Sequence, residues 1–300
     1  MHPDYRPPYR GRFAPSPTGP LHLGSLIAAL ASFLDARKHQ GSWLVRMEDL
    51  DPPREEAGAA SCILDSLQHH GLHWDEDVVF QSQRHTAYAA ALRQLDNTGH
   101  LFSCDCTRQM LGPDGACRGR CQNRQGQLAT AVAVRVAVPA KCHIHFADGI
   151  QGRVDSALGA DIADFVVKRK DGLDAYQLAV VVDDAWQGIT HIVRGSDLLA
   201  STTRQIYLQQ LLAYPTPLYC HIPVISDPAG QKYSKQNHAP ALNNQNAAAN
   251  LRAALDFLRQ ARPPTGLRTC PHILAFACEH WTPSNIPRLM SIPGDTLEGP

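Results

Sequence analysis

The chain carries no surplus of charge: Lys and Arg total 28, and Asp and Glu total 28. No global field therefore draws it to nucleic acid, and any RNA contact must rest on local patches. It has no run of about eighteen or more apolar residues of the kind that crosses a bilayer. Met1-His2-Pro3-Asp4-Tyr5-Arg6-Pro7-Pro8 lacks the apolar centre of a signal peptide. A cytoplasmic protein with no membrane partner is expected. Internal repeats and low-complexity tracts are also missing. Nine cysteines is an odd number, and four of them crowd between positions 104 and 121, which argues against a disulfide framework and for a metal. What remains is globular, with 44% hydrophobic content for a sizeable core and a length that suggests about two domains.

The segment from Arg12 to Ser25 (Arg12-Phe13-Ala14-Pro15-Ser16-Pro17-Thr18-Gly19-Pro20-Leu21-His22-Leu23-Gly24-Ser25) combines a strand-like start, a Pro/Gly turn and small residues opening a helix. Leu23, Leu26, Ile27, Leu30, Phe33 and Leu34 follow at helical spacing, Gly41 ends the helix, and Trp43-Leu44-Val45 reads as a second strand. Strand, helix and strand in so short a span predict a parallel βαβ unit. The first N–H groups of such a helix have no internal partner and lie at the positive end of its dipole, so His22 and Gly24 stand where a phosphate would bind. Many helices begin after Pro and Gly, so this feature alone decides little.

An acidic turn follows, Glu48-Asp49-Leu50-Asp51-Pro52-Pro53, which is either a solvated turn or a metal site. Helices are expected over Glu55 to His70 and Arg84 to Asn97, closed by Gly71 and Gly99. From Leu101 to about Asp161 the composition changes, and Ala131 to Val138 is β-like. Asp164-Phe165-Val166-Val167 and Ala179-Val180-Val181-Val182 read as buried strands returning to the main sheet, with helices at Thr203 to Leu212 and Asn246 to Ala261. The Pro-rich end receives no assignment. The expected fold class is α/β, a Rossmann-type doubly wound parallel sheet with a small zinc-bearing insertion and a short helical C-terminal part. The boundaries are 1–100 and 162–242 for the two halves of the sheet domain, 101–161 for the insertion and 243–300 for the C-terminal region.

Cys104, Cys106, Cys117 and Cys121 place four thiols within eighteen residues. Four thiolates suit tetrahedral zinc and fill its coordination, which implies one structural ion; the alternative is four unrelated thiols. Arg108, Arg118, Arg120 and Arg124 in the same loop either contact phosphates or balance thiolate charge. Cys62, Cys142, Cys220, Cys270 and Cys278 read as buried small hydrophobes.

A second polar loop, Gly230-Gln231-Lys232-Tyr233-Ser234-Lys235-Gln236-Asn237-His238, completes a pattern. His22-Leu23-Gly24-Ser25 and Lys232-Tyr233-Ser234-Lys235-Gln236 together resemble the paired signatures of class I aminoacyl-tRNA synthetases. Arg12 to Gly19, Arg46-Met47-Glu48-Asp49-Leu50-Asp51 and Val193-Arg194-Gly195-Ser196-Asp197 resemble the glutamyl and glutaminyl branch, up to about residue 242. Within it the chain resembles the tRNA-independent family of glutamyl-queuosine tRNA(Asp) synthetases, which carry a CxC-type zinc insertion and the run Lys-x-Ser-Lys-Gln-Asn-His. The chain ends about 65 residues after Lys235, too short for the anticodon-binding region of a full glutamyl-tRNA synthetase.

The resemblance implies the site. His22 and Lys235 would be catalytic; His22, Gly24, Ser25, Lys232 and Lys235 would bind ATP with its Mg²⁺; and Arg12, Phe13, Ala14, Pro15, Ser16, Glu48, Tyr176 and Arg194 would bind L-glutamate. The family's third zinc ligand is often tyrosine, here replaced by Cys117. Glutamyl adenylate would form first, and its glutamyl group would pass to the cyclopentenediol of queuosine at the wobble position of tRNA(Asp). A monomer is expected. Two other functions stay open: a compact glutamyl-tRNA synthetase charging the 3′ end of tRNA(Glu), and a catalytically silent RNA-binding zinc protein.

Overall fold

The computed structural model describes residues 8–112, 114–124, 131–226 and 240–294. Lys232 and Lys235, with the whole second signature, lie outside them. The opening segment folds as expected: β1 (Arg10–Phe13), α1 (Leu23–Lys38) and β2 (Ser42–Met47), with β1 and β2 parallel. Leu26, Ile27, Leu30 and Leu34 of α1 are fully buried, and Arg37 and Lys38 sit in the last turn where the helix dipole favours cations. The chain then reverses at Gly41, where a Cβ would fall 2.4 Å from the Tyr9 carbonyl. Trp43, wholly buried, donates its indole N–H to Ser32 Oγ at 2.9 Å, so its large apolar payload comes without an orphaned donor.

α2 (Ala59–His69), β3 (Val79–Phe80) and α3 (His85–Asn97) follow, β3 parallel to β2. α2 begins four residues after the expected Glu55, because Pro52–Arg54 form a 3-10 turn and Gly58, at φ 80°, turns the chain before the helix. The stretch beyond Leu101 holds β4 (Leu101–Cys104), β5 (Ala133–Ala137), β6 (Ile144–Asp148) and β7 (Gly152–Ser156). A short α4 (Leu158–Asp161) leads to β8 (Asp164–Lys168). β8 is a strand, but it pairs antiparallel with β5 in a three-stranded sheet of order β4-β5-β8 rather than returning to the sheet of β1.

The expected strand Ala179–Val182 is a helix, part of α5 (Tyr176–Trp186). A short apolar run has no period of its own, and here it is apolar on all sides because Leu178 to Val182 are buried where α5 packs against α3 and α6. β9 (His191–Gly195), α6 (Leu199–Leu212), β10 (Leu218–Ile222) and β11 (Val224–Ser226) come next, α6 starting one turn before the expected Thr203. α7 (Ala247–Phe257) ends short of Ala261. The unassigned Pro-rich end contains α8 (Cys270–His280) and β12 (Ser291–Pro293), which pairs parallel with β11.

Strands β7-β6-β10-β9 form one sheet and β1-β2-β3 another. Thr190 joins them: its N–H donates to the Arg10 carbonyl at 2.9 Å, and its Oγ1 accepts from the Arg10 N–H at 2.8 Å. The order of strands runs outward in opposite directions from β1 and β9. The crevice at their C-terminal ends is therefore a topological switch point, where open α/β sheets take their ligands. Among the described residues no helix is long and apolar enough to cross a membrane.

Candidate active site

A cavity of about 360 Å³ opens at that switch point. Its walls bring together every described residue that the sequence assigned to ATP or glutamate: Arg12, Phe13, Ala14, Pro15, Ser16, His22, Gly24, Ser25, Glu48, Tyr176 and Arg194.

Buried charge forms the floor. Arg12 on β1 donates from Nε and Nη2 to the two carboxylate oxygens of Asp184 at 3.1 and 3.3 Å. Arg46 on β2, with no exposed surface, lies 2.9 Å from Asp184 Oδ1 and 3.6 Å from Glu48 Oε1, and donates to Gln187 Oε1 at 2.7 Å. Burial would raise the Asp184 carboxyl, but Arg12 and Arg46 outweigh it and hold the group below its ordinary range. Glu48 differs: burial pushes its carboxyl up to about 7, against the pull of Arg46, Arg12 and Arg194.

Arg194 on β9 donates from Nη2 to Thr202 Oγ1 at 2.8 Å and Gln205 Oε1 at 2.7 Å, and from Nε to His221 Nε2 at 3.1 Å. Its Nη1 is buried without a hydrogen-bond partner. An unpaired buried donor of this kind costs on the order of 1–3 kcal/mol. An anion entering the cavity would remove that penalty. Tyr176, at the start of α5, has its phenol raised by burial and by Glu48, against the pull of Arg194 and Arg12.

Backbone dominates the other end. His22 caps α1, its Nδ1 accepting from the Ser25 N–H at 3.3 Å. A Cβ on Gly24 would stand 3.0 Å from His22 Cε1, so glycine lets the imidazole lie across the first turn. Val224 and Ile225 line the cavity just before the second signature. Just after it, Ala241 bridges to His22 and the Leu242 N–H donates to the Leu21 carbonyl at 2.8 Å.

The acidic turn divides its residues. Only Glu48 faces the cavity; Asp49 accepts from the Ser82 N–H and hydroxyl at 2.9 and 2.6 Å, and Asp51 pairs with Arg54 and Arg169. The metal alternative for this turn finds no three-ligand group, since among the described residues the cysteines form that group.

Cys104, Cys106, Cys117 and Cys121 hold their sulfurs within 4.8 Å of one another, with Cys106 Sγ 3.7 Å from Cys117 Sγ and 3.5 Å from Cys121 Sγ. Tetrahedral zinc with Zn–S bonds of about 2.3 Å needs sulfurs about 3.8 Å apart, so the donor set fits the ion. Asp164 of β8 anchors the knuckle, accepting from the N–H groups of Cys117 at 2.9 Å and Arg118 at 2.7 Å while pairing with Arg135. Of the loop arginines, Arg118 pairs with Asp114, Arg124 with Asp105, and Arg120 donates to the Met110 carbonyl. Cys62 is exposed rather than buried, and Cys142, Cys220, Cys270 and Cys278 are half-buried.

Sequence reasoning passed over Arg46, Asp184 and His221. Asp184 was hidden by the strand reading of α5; a helical reading puts it about two turns beyond Tyr176 on a neighbouring face. His221 carries no signal, being one polar residue in a short β-like run.

Residues 9–260 match the model of the catalytic domain of class I tRNA synthetases for E and Q. The chain belongs to this family. Its architecture makes it a ligase of the class I aminoacyl-tRNA synthetase type. The synthetase is 50% identical over 287 residues to the glutamyl-Q tRNA(Asp) synthetase of Pseudomonas entomophila, covering 95% of this chain and 97% of that protein. It is 53% identical over 286 residues to the protein of the same name from Thiobacillus denitrificans, covering 92% and 94%. The crystal structure of glutamate-tRNA synthetase from Elizabethkingia anophelis shares the fold, with a TM-score of 0.79 at 22% identity over 95% of this chain and 68% of that one.

Proposed function

We propose that this synthetase activates L-glutamate with ATP in the absence of tRNA and transfers the glutamyl group to queuosine at the wobble position of tRNA(Asp). The observation that carries the first half is the charge set around Glu48. Three guanidiniums, Arg12, Arg46 and Arg194, face two carboxylates, Asp184 and, once the substrate ammonium draws it into its charged form, Glu48, leaving one positive charge. Glutamate, with two carboxylates and one ammonium, neutralises it. Glutamine would leave it buried and unmatched, at a cost of several kcal/mol on the order expected for an unpaired interior ion.

In the first step an oxygen of the substrate α-carboxylate attacks the α-phosphorus of ATP and pyrophosphate leaves, so the protein supplies position and positive potential rather than a nucleophile. Glu48 receives the α-ammonium, and Arg194 Nη1 and Arg12 receive carboxylate. His22 and the N-terminus of α1 meet the phosphates, joined by Lys232 and Lys235 of the second signature; Mg²⁺ arrives with ATP, held mainly by phosphate and water. In the second step a hydroxyl of the cyclopentenediol attacks the mixed anhydride, AMP leaves, and an ester forms. The names of the relatives support this acceptor. One zinc on the four cysteines fixes the β4-β5-β8 sheet without entering the chemistry.

Pyrophosphate exchange with glutamate tests the first half: exchange without tRNA is expected, and a strict tRNA requirement would overturn it. Labelled glutamate incubated with ATP and tRNA containing or lacking queuosine tests the second. Label released with the anticodon fragment on nuclease digestion supports the proposed acceptor, and label on the terminal adenosine supports 3′ charging instead.

A further inference from the structure

Arg194 is aimed by a chain of hydrogen bonds that crosses three neighbouring strands. The sheet order places β6, β10 and β9 side by side, with His221 directly opposite Arg194 in the β10–β9 register and Asp148 at the end of β6. The Asp148 and His221 side chains have no exposed surface, and Arg194 is 5% exposed.

Each link fixes the next. Asp148 Oδ1 accepts three backbone N–H groups, from Ile150 at 3.0 Å, Gln151 at 2.8 Å and His221 at 3.1 Å. These N–H groups and His221 outweigh burial and hold the Asp148 carboxyl below its ordinary range, as an ionised acceptor. Its Oδ2 lies 2.5 Å from His221 Nδ1, which must therefore carry a hydrogen. With the proton on Nδ1, the neutral ring presents a bare lone pair at Nε2, and a guanidinium has only donors to offer it. The Nε of Arg194 takes that lone pair at 3.1 Å, with the Thr202 hydroxyl also 3.0 Å from Nε2, while Thr202 and Gln205 take its Nη2. The fork is thus fully occupied on one side, Nη1 is buried without a partner, and Arg194 lines the cavity.

We infer that Asp148 and His221 are positioning residues, a fixed-tautomer clamp that holds the Arg194 fork in register so that Nη1 meets the substrate carboxylate. The identity of that carboxylate as glutamate's rests on the function proposed above; the clamp itself rests on the geometry. Burial, with Arg194 adding to it, lowers the His221 pKa against the pull of Asp148, and Asp197 adds a further weak pull, in keeping with a neutral ring. The flipped tautomer would set an N–H against the Arg194 N–H and turn the fork.

Two measurements separate the clamp from the function it serves. Nitrogen-15 NMR of the full chain, labelled at histidine and assigned by difference with His221→Gln, reads the ring directly. A proton on Nδ1 and none on Nε2 at pH 7.5 is expected. A proton on Nε2, or a doubly protonated ring, overturns the clamp whatever the enzyme activates. In glutamate-dependent pyrophosphate exchange, His221→Phe keeps volume and loses the acceptor. Its KM for glutamate is expected to rise about 30-fold, with the KM for ATP within about twofold, as for loss of one charge-assisted hydrogen bond in a binding site. His221→Gln returns an amide oxygen to the Nε2 position and is expected to recover most of that loss. Unchanged KM for glutamate in His221→Phe, an equal rise in KM for ATP, or no recovery in His221→Gln overturns the inference. Absence of any glutamate-dependent exchange in the wild-type chain would sink the proposed function instead, and the NMR result would still decide the clamp.

Discussion

The two ends of the cavity are built from different materials. The end where the proposed function seats the amino acid is made of charged side chains buried on β1, β2, β9 and α5, each holding its neighbour: Asp184 joins Arg12 to Arg46, and Thr202, Gln205 and His221 surround Arg194. The other end, proposed for the ATP phosphates, uses what any helix start supplies, with His22 and Gly24 refining it. Backbone donors bind phosphate without regard to what carries it, so discrimination must reside in the side-chain end, where no member can be altered alone.

The largest expected effect follows from that interdependence. Arg194→Ala removes a cavity-lining guanidinium whose Nη1 is buried without a partner, and strands Thr202, Gln205 and His221, so kcat/KM for glutamate in pyrophosphate exchange should fall by about a thousandfold. The KM for ATP should stay within about threefold in the same assay. An equal loss in both constants would erase the contrast between the two ends. Lys235→Ala should do the reverse, lowering kcat about a hundredfold with little change in KM for glutamate, as expected for a group that meets charge developing on phosphate.

Glu48 sharpens the contrast through pH. Its folded-state carboxyl lies near 7 against an ordinary 4.5, so the empty cavity disfavours the charged form. The resulting loss of stability is absent below about 4.5, grows as pH rises through 7 and is complete above it. Glu48→Gln should therefore stabilise the ligand-free chain by on the order of 2 kcal/mol at pH 8 and far less at pH 5, measured by denaturant unfolding, while abolishing glutamate-dependent exchange. In the wild type the substrate ammonium calls for ionised Glu48, so KM for glutamate should fall as pH rises through about 7. A KM flat across pH 6 to 8 would remove Glu48 from the ammonium role.

The four-cysteine group offers a third region for comparison, since it lies beside the β4-β5-β8 sheet rather than in the cavity. Metal analysis should find about one zinc per chain, and chelation should lower the melting temperature while leaving KM for glutamate within about threefold. Gly24→Ala should give the smallest effect, a few-fold rise in KM for ATP, because its Cβ meets the rim of the His22 ring at 3.0 to 3.1 Å and the ring can shift.

Legibility in the sequence followed the same divide. The opening βαβ unit and the spaced cysteines announce themselves through local patterns, a turn with a helical period and thiols close in sequence. The family motifs then point to Arg12, Glu48 and Arg194. Asp184, His221 and Asp148 were silent, because their work depends on strands and helices that meet only in three dimensions. The strand reading of Ala179–Val182 failed where burial on all sides erased the helical period, and the pairing of β12 with β11 could not be read because three residues near a Pro-rich end carry no pattern.

That last pairing sets a condition on biosynthesis. β11 supplies Val224 and Ile225 to the cavity wall, its strand partner in the described residues is β12, and the Met290 carbonyl accepts from both the Val224 N–H and the Ser196 hydroxyl. A nascent chain emerging from the ribosome can close the sheet of β1 and β2 early, yet it lacks one edge of the catalytic chamber until residue 293 has been made and released from the exit tunnel. The proposed activation must thus wait for β12, and a product terminated before it would bear the signature motifs without a finished wall.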